Sequence, residues 1–187
     1  MAKTTRIRAY EAKDTPELTR LFYETVRSVN RAKYSEEQVE AWAPEVPNAE
    51  GWHARMLDRR TLVVEEGGEA VGFAELEGNG HLDMFYLRKD AVGRGVGRLF
   101  YQAVEREARG QGLERIFTEA SLTARRFFER RGFHALREQT VSRRKVAITN
   151  VAMEKRLPPC HGEGEQDVPL YNGQNMLSLR SSDPDRY

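Results

Sequence analysis

The run Val92-Gly93-Arg94-Gly95-Val96-Gly97-Arg98-Leu99 carries the chain's clearest chemical pattern. It falls between an extended apolar segment and an amphipathic one. Glycines in that place let consecutive backbone N–H groups turn toward one point with no Cβ in the way. A helix that starts there adds its own unpaired N–H groups and the positive end of its dipole. A pyrophosphate suits such a cradle, with Arg94 and Arg98 adding charge at the rim. Glycine-rich turns also end strands for steric reasons alone, and this segment by itself leaves that reading open. Two familiar phosphate loops fail on detail. No Lys-Ser or Lys-Thr pair follows the glycines, as a nucleoside-triphosphate loop requires. Nor do the glycines follow the first strand of a parallel βαβ series, as a dinucleotide fold requires.

The surrounding elements explain how such a loop would be held. Arg6–Tyr10 reads as a short strand. Asp14-Thr15-Pro16-Glu17 reads as a helix start, and Leu18, Leu21, Phe22, Thr25, Val26 and Val29 continue at the 3.6 period. A second helix begins at Ser35 and carries Val39 and Trp42, and Asn48 caps a further short one through Met56. From Thr61 the period becomes that of strands: 61–66, a Gly67-Gly68 hairpin turn, a return through Leu76, a Gly78-Asn79-Gly80 turn and a strand 81–87. A helix over 95–109, a strand over 116–120, a helix over 122–131 and two final strands, 133–141 and 145–153, complete the order. The expected class is α/β, an α+β mixed sheet of order β-α-α-β-β-β-α-β-α-β-β. It is mostly antiparallel, with strands 81–87 and 116–120 parallel across a right-handed crossover. Residues 1–157 form one domain, and the polar, aperiodic 158–187 reads as a flexible tail.

Composition narrows the function class. The chain has 187 residues, with 30 Lys and Arg against 29 Asp and Glu. That balance gives no general electrostatic reason for a nucleic-acid partner. No stretch approaches the ~18 apolar residues of a membrane span, and no secretory h-region is visible, so neither a membrane nor export is expected. The lone cysteine, Cys160, excludes an intrachain disulfide and fits a reducing, cytoplasmic setting.

A second block adds specificity. Ala120-Ser121-Leu122-Thr123-Ala124-Arg125-Arg126-Phe127-Phe128 runs on to Gly132-Phe133, about one crossover after Gly97. With Leu87–Leu99 it resembles the GNAT superfamily of acetyl-CoA-dependent N-acetyltransferases. Their cofactor loop ends in Gly-x-Gly, and their later helix reads Asn-x-x-Ala-x-x-Phe-Tyr before Gly-Phe. Tyr34–Gln38, Ala41-Trp42-Ala43-Pro44 and Asn150–Lys155 resemble a bacterial subgroup often called YafP-like. The resemblance spans roughly residues 6–157 and implies acetyl-CoA as acyl donor, with no metal. It implies that Val92, Gly93, Arg94, Gly95, Val96, Gly97 and Arg98 hold the pyrophosphate through backbone amides. Phe85, Tyr86 and Leu87 line the pantetheine arm where two parallel strands splay, and Ser121, Ala124, Phe127 and Phe128 face the thioester from the other side. Three positions depart from the pattern: Val92 replaces Arg or Gln, Ser121 replaces Asn, and Phe128 replaces the tyrosine that protonates the departing thiolate.

Acetyl transfer to an amine needs a neutral amine, a stabilised oxyanion and a leaving thiolate. An alkyl ammonium near pKa ~10.4 must lose a proton first. Asp83, His81 and Glu75 on the central strands are the candidate bases, and His81 and Asp83 are two apart and share a face. Each has a plainer reading: Glu75 as the wet face of a strand, His81 as an exposed edge residue. A backbone N–H near Phe85–Leu87 suits the oxyanion. Ser121, Tyr86 and Tyr101 are candidate proton donors, with ordinary packing the better reading for Tyr101. The acceptor, a small-molecule amine, is expected near Tyr34, Trp42, Trp52 and His53, although both tryptophans equally suit core packing. A homodimer is left open. An acyl-CoA-binding sensor without turnover and a protein or peptide acetyltransferase are the competing functions.

Overall fold

The computed structural model describes residues 4–158. Cys160 and the tail beyond Pro158 lie outside the described residues. The order is β1 (Thr5–Ala9), α1 (Thr15–Ser28), α2 (Glu36–Trp42), α3 (Ala49–Leu57), β2 (Arg60–Glu66), β3 (Glu69–Leu76), β4 (Leu82–Leu87), α4 (Val96–Gly110), β5 (Arg115–Ser121), α5 (Arg125–Glu129), β6 (His134–Arg143) and β7 (Val146–Arg156). The caps are local and legible. The Ser35 hydroxyl accepts from the Gln38 N–H at 3.2 Å while the Gln38 side chain accepts from the Ser35 N–H at 2.9 Å, a reciprocal capping box. Asn48 caps α3 through the Glu50 N–H at 2.8 Å.

One helix is shorter than its sequence suggests. The expected helix 122–131 is helical only over Arg125–Glu129. Before it, the Ala124 N–H turns back onto both the Ser121 carbonyl (2.9 Å) and its hydroxyl (3.0 Å). That serine turn competes with helix for the same donor.

Two antiparallel sheets form, β1-β2-β3-β4 and β5-β7-β6. The expected parallel pairing of β4 with β5 is reduced to a single bridge, His81 to Phe117. There the Phe117 N–H donates to the Gly80 carbonyl at 3.0 Å, and the Thr118 hydroxyl donates to the Leu82 carbonyl at 2.8 Å. Gly80 permits the approach: a Cβ there would lie 2.3 Å from the Arg115 carbonyl oxygen. Past this junction the strands part. Each face of the β1–β4 sheet has its own core. Leu82, Phe100, Tyr101, Ile116, Phe128 and Phe133 pack on the α4–α5 side. Leu18, Phe22, Val26, Met56, Phe73 and Met84 pack on the α1–α3 side.

Candidate active site

The parting strands open onto a cleft of about 180 Å3. Its walls include Thr25, Val29, Asn30 and Trp42 from the α1–α2 region, Asp83–Leu87 without Met84 from β4, and Thr118–Ser121 from β5. Val92, Ala124, Phe127 and Phe128 close the side toward the glycine loop.

The loop itself is open. Gly93 and Gly95 have φ of +82° and +90°, and no neighbouring atom lies within 4 Å of where a Cβ would stand. The amides of Gly93, Arg94, Gly95, Val96 and Gly97 find no acceptor among the described residues. Five consecutive unpaired donors at a helix start suit a polyanion. Gly97 has a different role. A Cβ there would lie 2.9 Å from Leu87 Cδ1 and 3.1 Å from Phe127 Cε2, so its absence lets α4 close onto both. Arg94 is committed elsewhere, paired with the buried Glu66 at 2.9 and 3.0 Å. Arg98 is exposed and makes no ion pair among the described residues.

β4 offers its free edge to the cleft. The Arg88 N–H bonds the Val71 carbonyl at 2.8 Å, and the antiparallel register continues as Tyr86↔Phe73 and Met84↔Glu75. Ladder alternation therefore turns the main-chain groups of Phe85 and Leu87 away from β3, toward the gap. The Leu87 carbonyl is taken by the Thr25 hydroxyl at 3.2 Å. The Phe85 ring stacks on Phe100 (5.2 Å) and Phe127 (5.3 Å), and Phe128 meets it edge-on at 5.9 Å.

The titratable groups sort into two sets. Glu75 pairs with Met84 and Leu76 with Leu82, so Asp83 is the extra residue of a β-bulge, which re-aims it into the cleft. Asp83 is held by Arg59, and by Arg55 at 2.8 Å. The same guanidiniums reach Glu75 at 2.9 and 3.1 Å. Glu75 is fully buried, which corrects its reading as the wet face of a strand, and it is not among the residues that line the cleft. Burial pushes its carboxyl up, against the pull of the two guanidiniums. His81 sits at the strand junction, stacked on Phe117 at 5.0 Å. Its Nε2 lies 2.6 Å from Glu119 Oε2 and its Nδ1 3.4 Å from Glu77 Oε2. Burial opposes the charged ring, but the Glu119 hydrogen bond and the charges of Glu119, Asp83 and Glu77 outweigh it and hold the imidazole pKa above its ordinary value. The His81 hydrogen bond in turn lowers the Glu119 carboxyl.

Glu119, Thr25, Asn30, Arg55 and Arg59 are site elements that sequence reasoning passed over. The signals were present: Glu119 is the acidic residue alternating with buried Thr118 and Ala120, and Arg55 and Arg59 are four apart. Of the expected acceptor residues, Tyr34 is buried and Trp52 half-buried, and neither lines the cleft. The buried Tyr34 hydroxyl donates to the Thr149 carbonyl (2.7 Å) and accepts the Leu122 N–H (2.8 Å). Trp52 packs on Phe22 and Phe73. His53 bonds the Tyr10 hydroxyl at 2.7 Å, and Tyr101 is buried against Phe128 and Phe133. Trp42, Tyr86 and Ser121 do line the cleft.

A loop of free amides beside a strand edge exposed by a splayed sheet calls for comparison with known proteins. The profile described as the acetyltransferase (GNAT) domain matches residues 30–157. The chain belongs to the GNAT acetyltransferase family. It is 27% identical to the Escherichia coli protein described as the uncharacterised N-acetyltransferase YafP, over 83% of this chain and 97% of that one. A GCN5-related N-acetyltransferase from Rhodopseudomonas palustris superposes with a TM-score of 0.78 at 34% identity, covering 84% of this chain and 98% of that one. The PaiA N-acetyltransferase from Thermoplasma acidophilum, solved with coenzyme A, shares the fold at a TM-score of 0.69 and 20% identity, over 82% and 99% of the two chains. The chain is thus an N-acetyltransferase with acetyl-CoA as its donor, and the amide cradle and the β4 edge fit that donor's diphosphate and amide-bearing arm. Among the described residues, no His, Cys, Asp and Glu cluster is placed to hold a metal, and no helix is long and apolar enough to cross a membrane.

Proposed function

We propose that this GNAT enzyme acetylates the primary amine of a small molecule, the amine attacking directly while donor and acceptor occupy the cleft together. The observation that carries this is the cleft itself. Its lining joins the β4 edge and the residues toward the glycine loop, which suit the donor, to the α1–α2 and β5 walls on which an acceptor can sit, so the two meet in one space. Its acceptor side combines the carboxylates Asp83 and Glu119 with the aromatic rings of Trp42 and Tyr86, a lining that suits a compact cation.

Acetyl-CoA, when bound, supplies the acetyl group as a thioester. The Gly93–Gly97 amides hold the pyrophosphate. The Phe85 main-chain groups and the Leu87 N–H pair with the pantetheine arm, and one of these N–H groups orients the thioester carbonyl and steadies its developing charge. Ala124, Phe127 and Phe128 exclude water on the opposite side. Asp83, fixed by Arg55 and Arg59, draws the acceptor's ammonium end inward. The Ser121 oxygen accepts the Ala124 N–H, which leaves its O–H to donate toward the thiolate. Phe128 cannot do this, and a thiol near pKa ~8.5 needs little help. The lone cysteine fits a reducing cytoplasmic setting for this reaction.

The test is thiol release from acetyl-CoA against phenethylamine, tyramine, putrescine, spermidine, lysine and a lysine-bearing peptide. Release with one or more of the small amines is expected. Release with the peptide alone would overturn the small-molecule reading, and tight acetyl-CoA binding with no release for any amine would favour a sensor.

A further inference from the structure

The two cleft carboxylates differ in what stands behind them. Asp83 is clamped by Arg55 and Arg59, permanent cations that occupy its carboxylate. Glu119 is backed by His81, whose charge can change. Its Oε2 meets His81 Nε2 at 2.6 Å, and the residue is still 42% exposed at the cleft wall. Thus a proton that reaches Glu119 has somewhere to go.

We infer that Glu119 is a catalytic residue that takes the acceptor's ammonium proton at the cleft, and that His81 is the positioning residue on which the proton comes to rest. This rests on the amine-transfer reading above. In the step, one N–H bond of the bound ammonium breaks and its electron pair stays on nitrogen. The proton passes through the Glu119 carboxyl to Nε2 of a neutral His81 whose one N–H is at Nδ1, on the Glu77 side. The products are a neutral amine and an imidazolium balanced by the Glu119 carboxylate, so charge is conserved.

The magnitudes favour a pair over a lone carboxylate. Between an amine at ~10.4 and a carboxyl at ~4.3 the proton equilibrium is unfavourable by about six powers of ten; an imidazole at ~6.5 reduces that to about four. The surroundings of His81 reduce it further. Glu119 on β5, Glu77 at the end of β3 and Asp83 on β4 all favour the charged ring. The nearby cations are spoken for: Arg59 bonds Glu77 and Asp83, Arg55 bonds Asp83, and Arg115 lies over the Phe117 ring and pairs with Glu154. Because the ring must start neutral, activity rises with pH as His81 loses its proton.

The experiment compares wild type with Glu119→Gln and His81→Gln. The His81→Gln side chain still donates to Glu119 but does not titrate. The rate assay is thiol release from acetyl-CoA with the best amine of the panel above, from pH 5 to 9. Both variants are expected to lose about 10²-fold or more in kcat at neutral pH, and the acid limb of kcat/KM, set above ~6.5 in wild type, is expected to disappear from this range in both. Independently of turnover, the His81 imidazole resonance, identified by its loss in His81→Gln, should titrate lower in Glu119→Gln than in wild type. Undiminished kcat with an unmoved acid limb in folded His81→Gln overturns the relay alone. An unshifted His81 titration in Glu119→Gln overturns the pairing beneath it. No thiol release by wild type with any amine overturns the amine-transfer reading, and the relay falls with it.

Discussion

Gly95→Glu separates the two contributions that the glycine loop makes to donor binding. Gly95 sits at φ +90°, where an L side chain costs about 1–2 kcal/mol. Nothing lies within 4 Å of its would-be Cβ, so packing adds no further cost. For a chain of this size that strain lowers Tm by roughly 2–8 °C. The charge acts on binding instead. A carboxylate about 5 Å from one pyrophosphate charge is repelled by about 3 kcal/mol at an effective dielectric near 20. That weakens coenzyme A about 100-fold, and more if both phosphates are near. Gly95→Lys carries the same backbone strain with the opposite charge, so its Tm should fall alike while its affinity is largely kept. Isothermal titration with coenzyme A, alongside thermal melts, reads both quantities. A folded Gly95→Glu protein that binds coenzyme A within threefold of wild type would refute the anion cradle. Equal weakening in the Glu and Lys variants would refute the electrostatic part alone.

Three more outcomes follow from the geometry. Tyr34→Phe removes a donor to Thr149 and an acceptor for Leu122 and should cost about 1–3 kcal/mol in urea unfolding; a change in amine KM without loss of stability would restore Tyr34 to the acceptor site. Arg59→Met strips the fully buried Glu75 of one of its two cations and should cost about 3–5 kcal/mol, much of it regained in Arg59→Met/Glu75→Met. Asp14, buried, is held below its ordinary pKa because the Arg8 guanidinium (2.6 and 2.8 Å) and the Glu11 N–H outweigh the effect of burial. A depressed native pKa gives stability that is full above the unfolded value of ~3.9 and lost as pH falls through the native one. Asp14→Asn should therefore be less stable near pH 6 and show a shallower fall in Tm below about pH 4. Parallel acid limbs for the two proteins would contradict that sign.

Local signals reported local structure well. Ser35 with Gln38, Asn48, and the glycines at 67–68 and 93–97 each state a backbone requirement within four residues, and the elements form where those requirements say. The helix after Ser121 fell short because its apolar spacing says nothing about the hydroxyl that captures the Ala124 N–H first. The open amides of the glycine loop were legible for the same reason, since consecutive amides are consecutive in sequence. Its acceptor side was not. Asp83 meets Arg55 and Arg59, His81 meets Glu119 across 38 residues, and Tyr34 meets Thr149 across 115. Such partners are set by how the sheet parts, and no periodicity within either segment encodes them.

The parting has an identifiable origin. Gly80 alone admits the Arg115 carbonyl close enough for β4 and β5 to touch, and the Thr118 side chain, in place of a main-chain amide, then claims the Leu82 carbonyl. One residue later the Asp83 bulge reverses which residues of β4 face the gap. After it, the outward amides belong to Phe85 and Leu87, at the level of the glycine loop, and Asp83 is pinned on the acceptor side by Arg55 and Arg59. Removing Asp83 would leave Leu82↔Leu76 and Met84↔Glu75 as consecutive pairs, so residues 84–87 would keep their partners on β3 and their outward amides. The cleft would then lose one of its two carboxylates and keep its strand edge, which makes the irregularity a device of the acceptor side alone.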